Sequence, residues 1–194
     1  SKAILGFATG ETPLGLYQNL VNAYRKKKVD FSKVKTFNLD EYYPIKKGDK
    51  NSFYYYMFKN LFNKVNINRK NINFLNGEAK YIKKECLDYE SKIKADPIDL
   101  QILGVGVNGH IGFNEPKSSR NSKTRLVNLS RETIKRNSRF FEGVNKIPNQ
   151  ALTLGIKNIL SSKKIILLAY GRDQKKAINY LIQGKITRVW PVSF

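Results

Sequence analysis

The sequence predicts an α/β fold in which a mostly parallel β-sheet is layered with helices. The first observation is that strand-like and helical segments alternate along the chain. Short apolar runs typical of strands are followed by segments with helical periodicity. The second is size, since 194 residues with 41% hydrophobic content can close one core but hardly two. We therefore expect a single domain whose parallel strands are joined by crossover helices.

Each strand is predicted from an apolar, β-rich run bounded by turn residues. The predicted strands are 3–8, 34–39, 98–105, 124–129 and 164–169. The run 98–105 is almost entirely apolar, which is typical of a parallel strand that is buried on both faces.

The helices are predicted from apolar residues that recur every three or four positions. The first helix follows Thr12, the expected N-cap, with Pro13 at the first helical position. The helix 79–94 is expected to end before Asp96, because a residue that precedes proline disfavours helical geometry. The other predicted helices are 51–62, 133–141 and 174–183.

The net charge of +21 raises the question of a nucleic-acid partner. The lysines and arginines lie in short clusters and no RNA- or DNA-binding signature appears, so we expect a solvated basic surface and no nucleic-acid partner. The longest apolar run, 165–170, is far too short to span a bilayer, and no membrane association is expected. The single cysteine, Cys86, excludes an internal disulfide and favours a reducing, cytoplasmic compartment.

Polar segments follow three of the predicted strands, at 9–13, 40–42 and 104–116. Ligands of open α/β sheets bind outside the carboxyl ends of the strands. The three segments are therefore expected to form one site at one edge of the sheet.

The turn between the first strand and the first helix has the features of an anion site. Gly10 lies in this turn, directly before a helix whose first N–H groups have no partner inside the helix. The segment 9–13 lacks the Gly-Lys-Ser/Thr ending of a nucleotide P-loop, so a sugar phosphate fits it better than a nucleoside triphosphate. The question stays open at this point, because any strand-to-helix turn has such amides, and the Glu11 carboxylate would repel phosphate unless it turned outward.

The segment 104–109 matches the dinucleotide-binding pattern Gly-x-Gly-x-x-Gly after a strand. Its context does not fit, because residues 110–116 are a poor helix start and residues 117–131 contain no Asp or Glu to bind a ribose. A nicotinamide cofactor is therefore not expected.

His110 is the only imidazole of the chain, so proton transfer near neutral pH must use it or a carboxyl group with a shifted pKa. Glu115 follows five residues later and could orient one ring nitrogen, although a lone histidine can equally be structural. Asp40 and Glu41 follow the second predicted strand, where a carboxylate could remove a carbon-bound proton or simply cap the strand end. One His and one Cys make a zinc site, or any other metal site, unexpected.

Four segments of the sequence resemble glucosamine-6-phosphate deaminases, in the order and spacing of that family. They are Ala-Thr-Gly-Glu-Thr-Pro at 8–13, Thr-Phe-Asn-Leu-Asp-Glu-Tyr at 36–42, the whole of 104–116, and Asn-Ser-Arg-Phe-Phe at 137–141. The run Asn-Gly-His-Ile-Gly-Phe-Asn-Glu-Pro at 108–116 separates this family from the related 6-phosphogluconolactonases. The resemblance covers essentially the whole chain and implies one domain over residues 1–194, truncated at both ends.

The resemblance implies a Rossmann-like three-layer sandwich with a mostly parallel sheet, acting without a cofactor. The implied reaction converts glucosamine 6-phosphate and water to fructose 6-phosphate and ammonia, as in cytoplasmic catabolism of N-acetylglucosamine and other amino sugars. By position, His110 would open the sugar ring, with Asn108 and Glu115 setting its proton and orientation, and Asp40 would move a proton between C2 and C1. The residues implied in binding the substrate or its phosphate are Thr9, Gly10, Glu11, Thr12, Gly109, Arg139 and Lys175.

The sequence departs from the family pattern at Gln174, where the family has a phosphate-binding lysine. Lys175 would replace that lysine by a shift of one residue. The implied truncation would expose an unpaired sheet edge or an apolar face, which favours association into a homo-oligomer. The alternatives are a related sugar-phosphate isomerase, a 6-phosphogluconolactonase-like hydrolase, and a catalytically silent protein that binds RNA or anionic polymers through its basic surface.

Overall fold

The computed structural model of the chain describes residues 2–138, 141 and 147–194, and contains two β-sheets. The strands in chain order are β1 (Ile4–Phe7), β2 (Lys35–Asn38), β3 (Asp40–Tyr43), β4 (Ile72–Asn73), β5 (Leu100–Gly104), β6 (Arg125–Asn128), β7 (Gln150–Thr153) and β8 (Lys164–Leu168). The larger sheet has the order β4-β2-β1-β5-β8, and all its described pairings are parallel. The carboxyl ends of β2, β1 and β5 are therefore neighbours at one edge of this sheet.

The second sheet is antiparallel and has the order β3-β7-β6. Asp40 at the start of β3 is paired with Thr153 at the end of β7. One residue, Leu39, separates β2 from β3, so the chain passes directly from the parallel sheet into the antiparallel one. Leu39 is 2% exposed and its carbonyl accepts a hydrogen bond of 2.9 Å from the Leu154 N–H.

Helices cover both faces of the parallel sheet. They are α1 (Leu14–Arg25), α2 (Phe53–Asn60), α3 (Ile82–Ala95), α4 (Arg131–Asn137), α5 (Ile156–Leu160) and α6 (Lys175–Ile182). One core lies between the sheet and α1 with α2, and it contains Tyr17, Val21 and Met57. A second core, containing Tyr89, Ile159 and Ala177, lies between the opposite face and α3, α5 and α6.

The predicted α/β class, with helices on both faces of a mostly parallel sheet, is confirmed. The expectation of one sheet is wrong, because the predicted strand 124–129 corresponds to β6 and pairs antiparallel in the second sheet. The predicted cap of α1 is also wrong, since the helix begins at Leu14 with Pro13 in helical geometry at the N-cap. Among the described residues, no helix combines the length and apolarity needed to cross a bilayer.

Candidate active site

The segment that follows β5 folds into a tight loop around His110. The Gly109 N–H donates to the Gly106 carbonyl at 2.9 Å, and the Gly106 N–H donates to the His110 carbonyl at 2.9 Å. Gly109 has a φ of +79°, and a Cβ there would come within 2.6 Å of the Trp190 ring. A Cβ at Gly106 would come within 2.2 Å of the His110 ring, so both glycines are required by close packing.

A hydrogen-bond network determines which nitrogen of His110 is protonated. The Asn108 Nδ2 donates to Glu115 Oε2 at 2.9 Å, so the Asn108 Oδ1 faces the imidazole, 2.7 Å from His110 Nδ1. An amide oxygen can only accept, and therefore the Nδ1 of His110 must carry the proton. In neutral His110 the basic nitrogen is Nε2.

Glu115 is fixed by hydroxyl groups at the start of α4. The Ser130 hydroxyl donates to Glu115 Oε1 at 3.1 Å, and the Thr133 hydroxyl donates to the same oxygen. Ser130 is also the N-cap of α4, since its Oγ accepts from the Thr133 N–H at 3.1 Å. Sequence analysis missed both residues, although a Ser before a helical segment is a recognisable N-cap signal.

The His110 imidazole is half-buried and neutral at physiological pH. Its side chain is 24% exposed, and loss of water around the ring lowers its pKa below the ordinary value. The Glu115 carboxylate opposes this shift, because its Oε2 lies 3.8 Å from His110 Nδ1. The imidazole can therefore accept a proton at Nε2 under neutral conditions.

Asp40 is a buried carboxyl group. The residue is 6% exposed, and its inaccessible Oδ1 has no hydrogen-bond partner among the described residues. Burial, with a further contribution from the neighbouring Glu41 charge, raises the pKa of Asp40 to about 8. A carboxylate with so high a pKa is a much stronger base than an exposed one.

Glu41 is equally buried but fully engaged by the backbone. Its Oε1 accepts from the N–H groups of Tyr42 at 3.0 Å and Phe53 at 2.8 Å, and its Oε2 accepts from the Tyr54 N–H at 2.9 Å. Phe53 and Tyr54 are the first two residues of α2, so Glu41 binds to the positive end of that helix. Burial raises the pKa of Glu41 and these three bonds lower it.

Thr153 connects Asp40 to the loop of His110. It is the antiparallel partner of Asp40, and its Oγ1 accepts a hydrogen bond of 3.2 Å from the Phe113 N–H. A Cβ at Gly112, which has a φ of +56°, would lie 3.0 Å from the same oxygen. The structure thus places the predicted segments 40–42 and 104–116 side by side.

The predicted phosphate-binding residues are only partly brought together. Thr9, Gly10, Glu11 and Thr12 form the turn from β1 to α1, with Gly10 at a φ of +98° and the Glu11 side chain exposed. Gly109 belongs to the His110 loop. Lys175 is exposed at the first position of α6, and Arg139 lies outside the described residues.

Gln174, which the sequence resemblance matches to a phosphate-binding lysine, is the N-cap of α6. Its Oε1 is inaccessible and has no hydrogen-bond partner in the part of the chain that the structure describes, although the residue as a whole is half-buried. Across residues 2–138, 141 and 147–194, no group of three or more His, Cys, Asp or Glu side chains could bind a metal ion.

Similarity to known proteins agrees with this geometry. The family model described as Glucosamine-6-phosphate isomerases/6-phosphogluconolactonase matches residues 1–194. A glucosamine-6-phosphate deaminase of Clostridium botulinum (strain Kyoto / Type A2) is 57% identical over 192 residues, which make up 98% of this chain and 79% of that protein. A glucosamine-6-phosphate deaminase of Clostridium novyi (strain NT) is 54% identical over 98% of this chain and 80% of its own length.

Solved structures show the same fold. A monomeric glucosamine-6-phosphate deaminase superposes with a TM-score of 0.96 at 39% identity, covering 98% of this chain and 80% of that one. A 6-phosphogluconolactonase from Thermotoga maritima superposes with a TM-score of 0.76 at 22% identity, covering 98% of this chain and 80% of that one. At that lower identity the likeness concerns the fold alone.

Proposed function

Because the chain belongs to the glucosamine-6-phosphate isomerase/6-phosphogluconolactonase family, we propose that it is a glucosamine-6-phosphate deaminase. The proposed reaction converts glucosamine 6-phosphate and water to fructose 6-phosphate and ammonia. The observation that supports it best is the pairing of two different acid/base groups in one site. A neutral imidazole with a defined tautomer and a buried carboxyl group of raised pKa belong to two segments that meet at Thr153.

His110 acts in the first step, which opens the pyranose ring. Its Nε2 removes the proton from the C1 hydroxyl and returns a proton to the ring oxygen as the bond between C1 and that oxygen breaks. The resulting imidazolium is stabilised through Nδ1–H, which donates to Asn108, and by the charge of Glu115. The open-chain sugar then has an aldehyde at C1 and the amine at C2.

Asp40 acts in the second step, which is the isomerisation. As a carboxylate it removes the proton from C2 while the C1 oxygen takes a proton from the protonated C2 amine, giving an enol with the amine still attached, and it then delivers the C2 proton to C1. The raised pKa suits this role, because a stronger base lowers the cost of deprotonating carbon. The product of the transfer is an imine at C2, which water hydrolyses to the ketone and ammonia.

The proposed reaction breaks a carbon–nitrogen bond with water, so the enzyme is a hydrolase in this sense. We place it in cytoplasmic amino sugar catabolism, where N-acetylglucosamine is the parent sugar. The turn 9–12 and Lys175 are the groups of the described chain proposed to bind the phosphate. Arg139 completes this proposed set.

The test is release of ammonia from glucosamine 6-phosphate, coupled to detection of fructose 6-phosphate, with hydrolysis of 6-phosphogluconolactone measured in parallel. We expect equal amounts of ammonia and fructose 6-phosphate, and no lactone hydrolysis above the spontaneous rate. Lactone hydrolysis without ammonia release would instead favour the hydrolase alternative. Formation of a ketose that keeps its nitrogen would favour an isomerase.

A further inference from the structure

Two tyrosine hydroxyls bind the backbone of the turn that joins β1 to α1. The Tyr17 hydroxyl, from α1, donates to the Ala8 carbonyl. The Tyr56 hydroxyl, from α2, donates to the Gly10 carbonyl at 2.5 Å. The parallel ladder ends just before this point, where the Phe7 carbonyl accepts from the Leu39 N–H at 2.9 Å. The tyrosines therefore bind the carbonyls that follow the last ladder bond of β1.

Anchoring a carbonyl also fixes the direction of the next N–H group. In a trans peptide the C=O and the N–H of the same plane point in opposite directions. The Ala8 carbonyl shares its plane with the Thr9 N–H, and the Gly10 carbonyl shares its plane with the Glu11 N–H. With both carbonyls directed at tyrosines, these two N–H groups are directed away from the tyrosine hydroxyls, and in the proposed function they face the phosphate.

The two rings form one packed unit between α1 and α2. Their centroids are 6.4 Å apart with an interplanar angle of 69°, an edge-to-face arrangement. Tyr17 is completely buried, and Tyr56 is half-buried. Burial raises the pKa of both hydroxyls, so both remain protonated donors across the pH range in which the enzyme would be assayed.

We propose that Tyr17 and Tyr56 are positioning residues for the substrate phosphate, acting through the carbonyls of Ala8 and Gly10. This inference rests on the proposed function, in which the same turn binds the phosphate of the sugar. The tyrosines do not touch the phosphate. They hold the turn in the conformation that presents its amides, so the turn does not have to be ordered when the anion binds.

A purely structural role makes a different prediction. If the hydroxyls only stabilised the fold, their removal would lower the melting temperature and leave phosphate affinity unchanged in the folded protein. If they position the turn, the loss appears in KM and in phosphate binding, while kcat is kept. The groups proposed for proton transfer, His110 and Asp40, lie on other segments of the chain.

The experiment compares Tyr56→Phe, Tyr17→Phe and the control Tyr55→Phe. Each substitution removes one hydroxyl and keeps the ring, and Tyr55 lies on the same helix as Tyr56 with 39% of its surface exposed. The Kd for inorganic phosphate is measured by calorimetry at fixed ionic strength. The KM and kcat for glucosamine 6-phosphate are measured under the same conditions, with circular dichroism to confirm folding.

We expect Tyr56→Phe and Tyr17→Phe each to raise the Kd for phosphate and the KM by about twofold to tenfold, the range that one lost hydrogen bond produces. The value of kcat should stay within about twofold, as expected for lost ground-state binding. Tyr55→Phe should change neither quantity. If Tyr17→Phe does not fold, the half-buried Tyr56 decides the question alone.

Unchanged phosphate affinity in folded Tyr56→Phe would overturn the inference, and so would a fall in kcat with KM and Kd kept. An equal loss of affinity in Tyr55→Phe would also overturn it. Failure of the parent enzyme to bind phosphate at all would have the same consequence. Phosphate binding without ammonia release by the parent enzyme would refute the proposed function, and the calorimetric comparison would still test the tyrosines.

Discussion

His110 and Asp40, the two groups proposed for proton transfer, lie in contrasting surroundings. Around His110, the Nδ1–H is donated to Asn108, whose Nδ2 donates to Glu115, and Glu115 is bound in turn by two hydroxyls. Within the described part of the chain, the inaccessible Oδ1 of Asp40 has no hydrogen-bond partner, and the nearest charged neighbour of Asp40 in sequence is another carboxyl group. The imidazole is held by a chain of hydrogen bonds, whereas one oxygen of the carboxyl group has no described partner.

The difference matches the two kinds of proton transfer proposed here. Ring opening moves protons between oxygens, which an imidazole of fixed tautomer can do without being a strong base. Removing a proton from carbon needs a stronger base, and burial without hydrogen bonds makes a carboxylate stronger. The site thus combines a well-positioned base with a strongly basic one.

Removing the imidazole should give the largest effect. His110→Gln keeps a polar side chain of similar length but has no group that titrates near neutral pH, so kcat should fall by about 10² to 10⁴-fold. Ammonia release and the circular dichroism spectrum would be measured together. A folded variant that releases ammonia at a near-normal rate would remove His110 from the proposed mechanism.

Asp40→Asn should abolish the isomerisation and also stabilise the protein at alkaline pH. With substrate deuterated at C2, the parent enzyme should deliver deuterium to C1 of the product, and the variant should deliver none. Turnover should fall by about 10² to 10³-fold. Nuclear magnetic resonance of the product distinguishes loss of this transfer from loss of binding. Deuterium at C1 in the variant would assign the transfer to another group.

The stability change follows from the direction of the Asp40 shift. Its pKa is about 8 in the folded protein and about 3.8 as the ordinary value, so between these pH values unfolding releases a proton. The stability associated with protonated Asp40 is full below about pH 4 and is lost as the pH rises to about 8. Asparagine cannot ionise, so Asp40→Asn should add on the order of 5 kcal/mol at pH 8 and less than about 1 kcal/mol at pH 4.

Melting curves at pH 4 and pH 8 would measure this difference. Asp88→Asn is the matched control, because Asp88 lies on α3 with its side chain 52% exposed in a surface pair with Lys84. The control should change stability little at either pH. A gain from Asp40→Asn that is the same at both pH values would show that the burial of charge is not its cause.

The sequence predicts the contrast between His110 and Asp40 only in part. The loop motif at 104–116 and the strand-end position of Asp40 followed from local pattern, as did the α/β class. The burial of Asp40 and Glu41 did not, because it depends on pairing with β7, more than a hundred residues away, and on the start of α2. Two adjacent carboxylates after a strand are normally expected at the surface.

The tyrosine hydroxyls were hidden for a different reason. Tyr17 lies on the apolar face of α1 and Tyr56 on that of α2, so periodicity alone explains both as core residues. Their hydroxyl groups find their partners, the Ala8 and Gly10 carbonyls, only in the folded chain, where the turn after β1 meets the two helices. Periodicity identifies which side a residue faces, but it does not identify the partner of a polar atom on that side.

The smallest effect is expected at Glu41, whose charge contributes to the raised pKa of Asp40. Glu41→Gln removes a charge that raises the pKa of Asp40, so the pKa of Asp40 should fall. Because Asp40 must be ionised to act, the acid limb of the pH profile of kcat/KM should move to lower pH by the same amount. The maximal rate should fall less than about tenfold, since a weaker base removes the C2 proton more slowly.

The geometry of Glu41 separates this electrostatic effect from a structural one. Glutamine can still accept through one oxygen from Tyr42 and Phe53, but its amide nitrogen cannot accept from Tyr54. Some stability is therefore lost, and Glu78→Gln at an exposed site is the control for the change of residue type. If the substitution only disrupted the start of α2, activity would fall at every pH and the acid limb of the kcat/KM profile would not move. A shifted limb in Glu41→Gln, absent from the control, requires that the charge itself acts on Asp40.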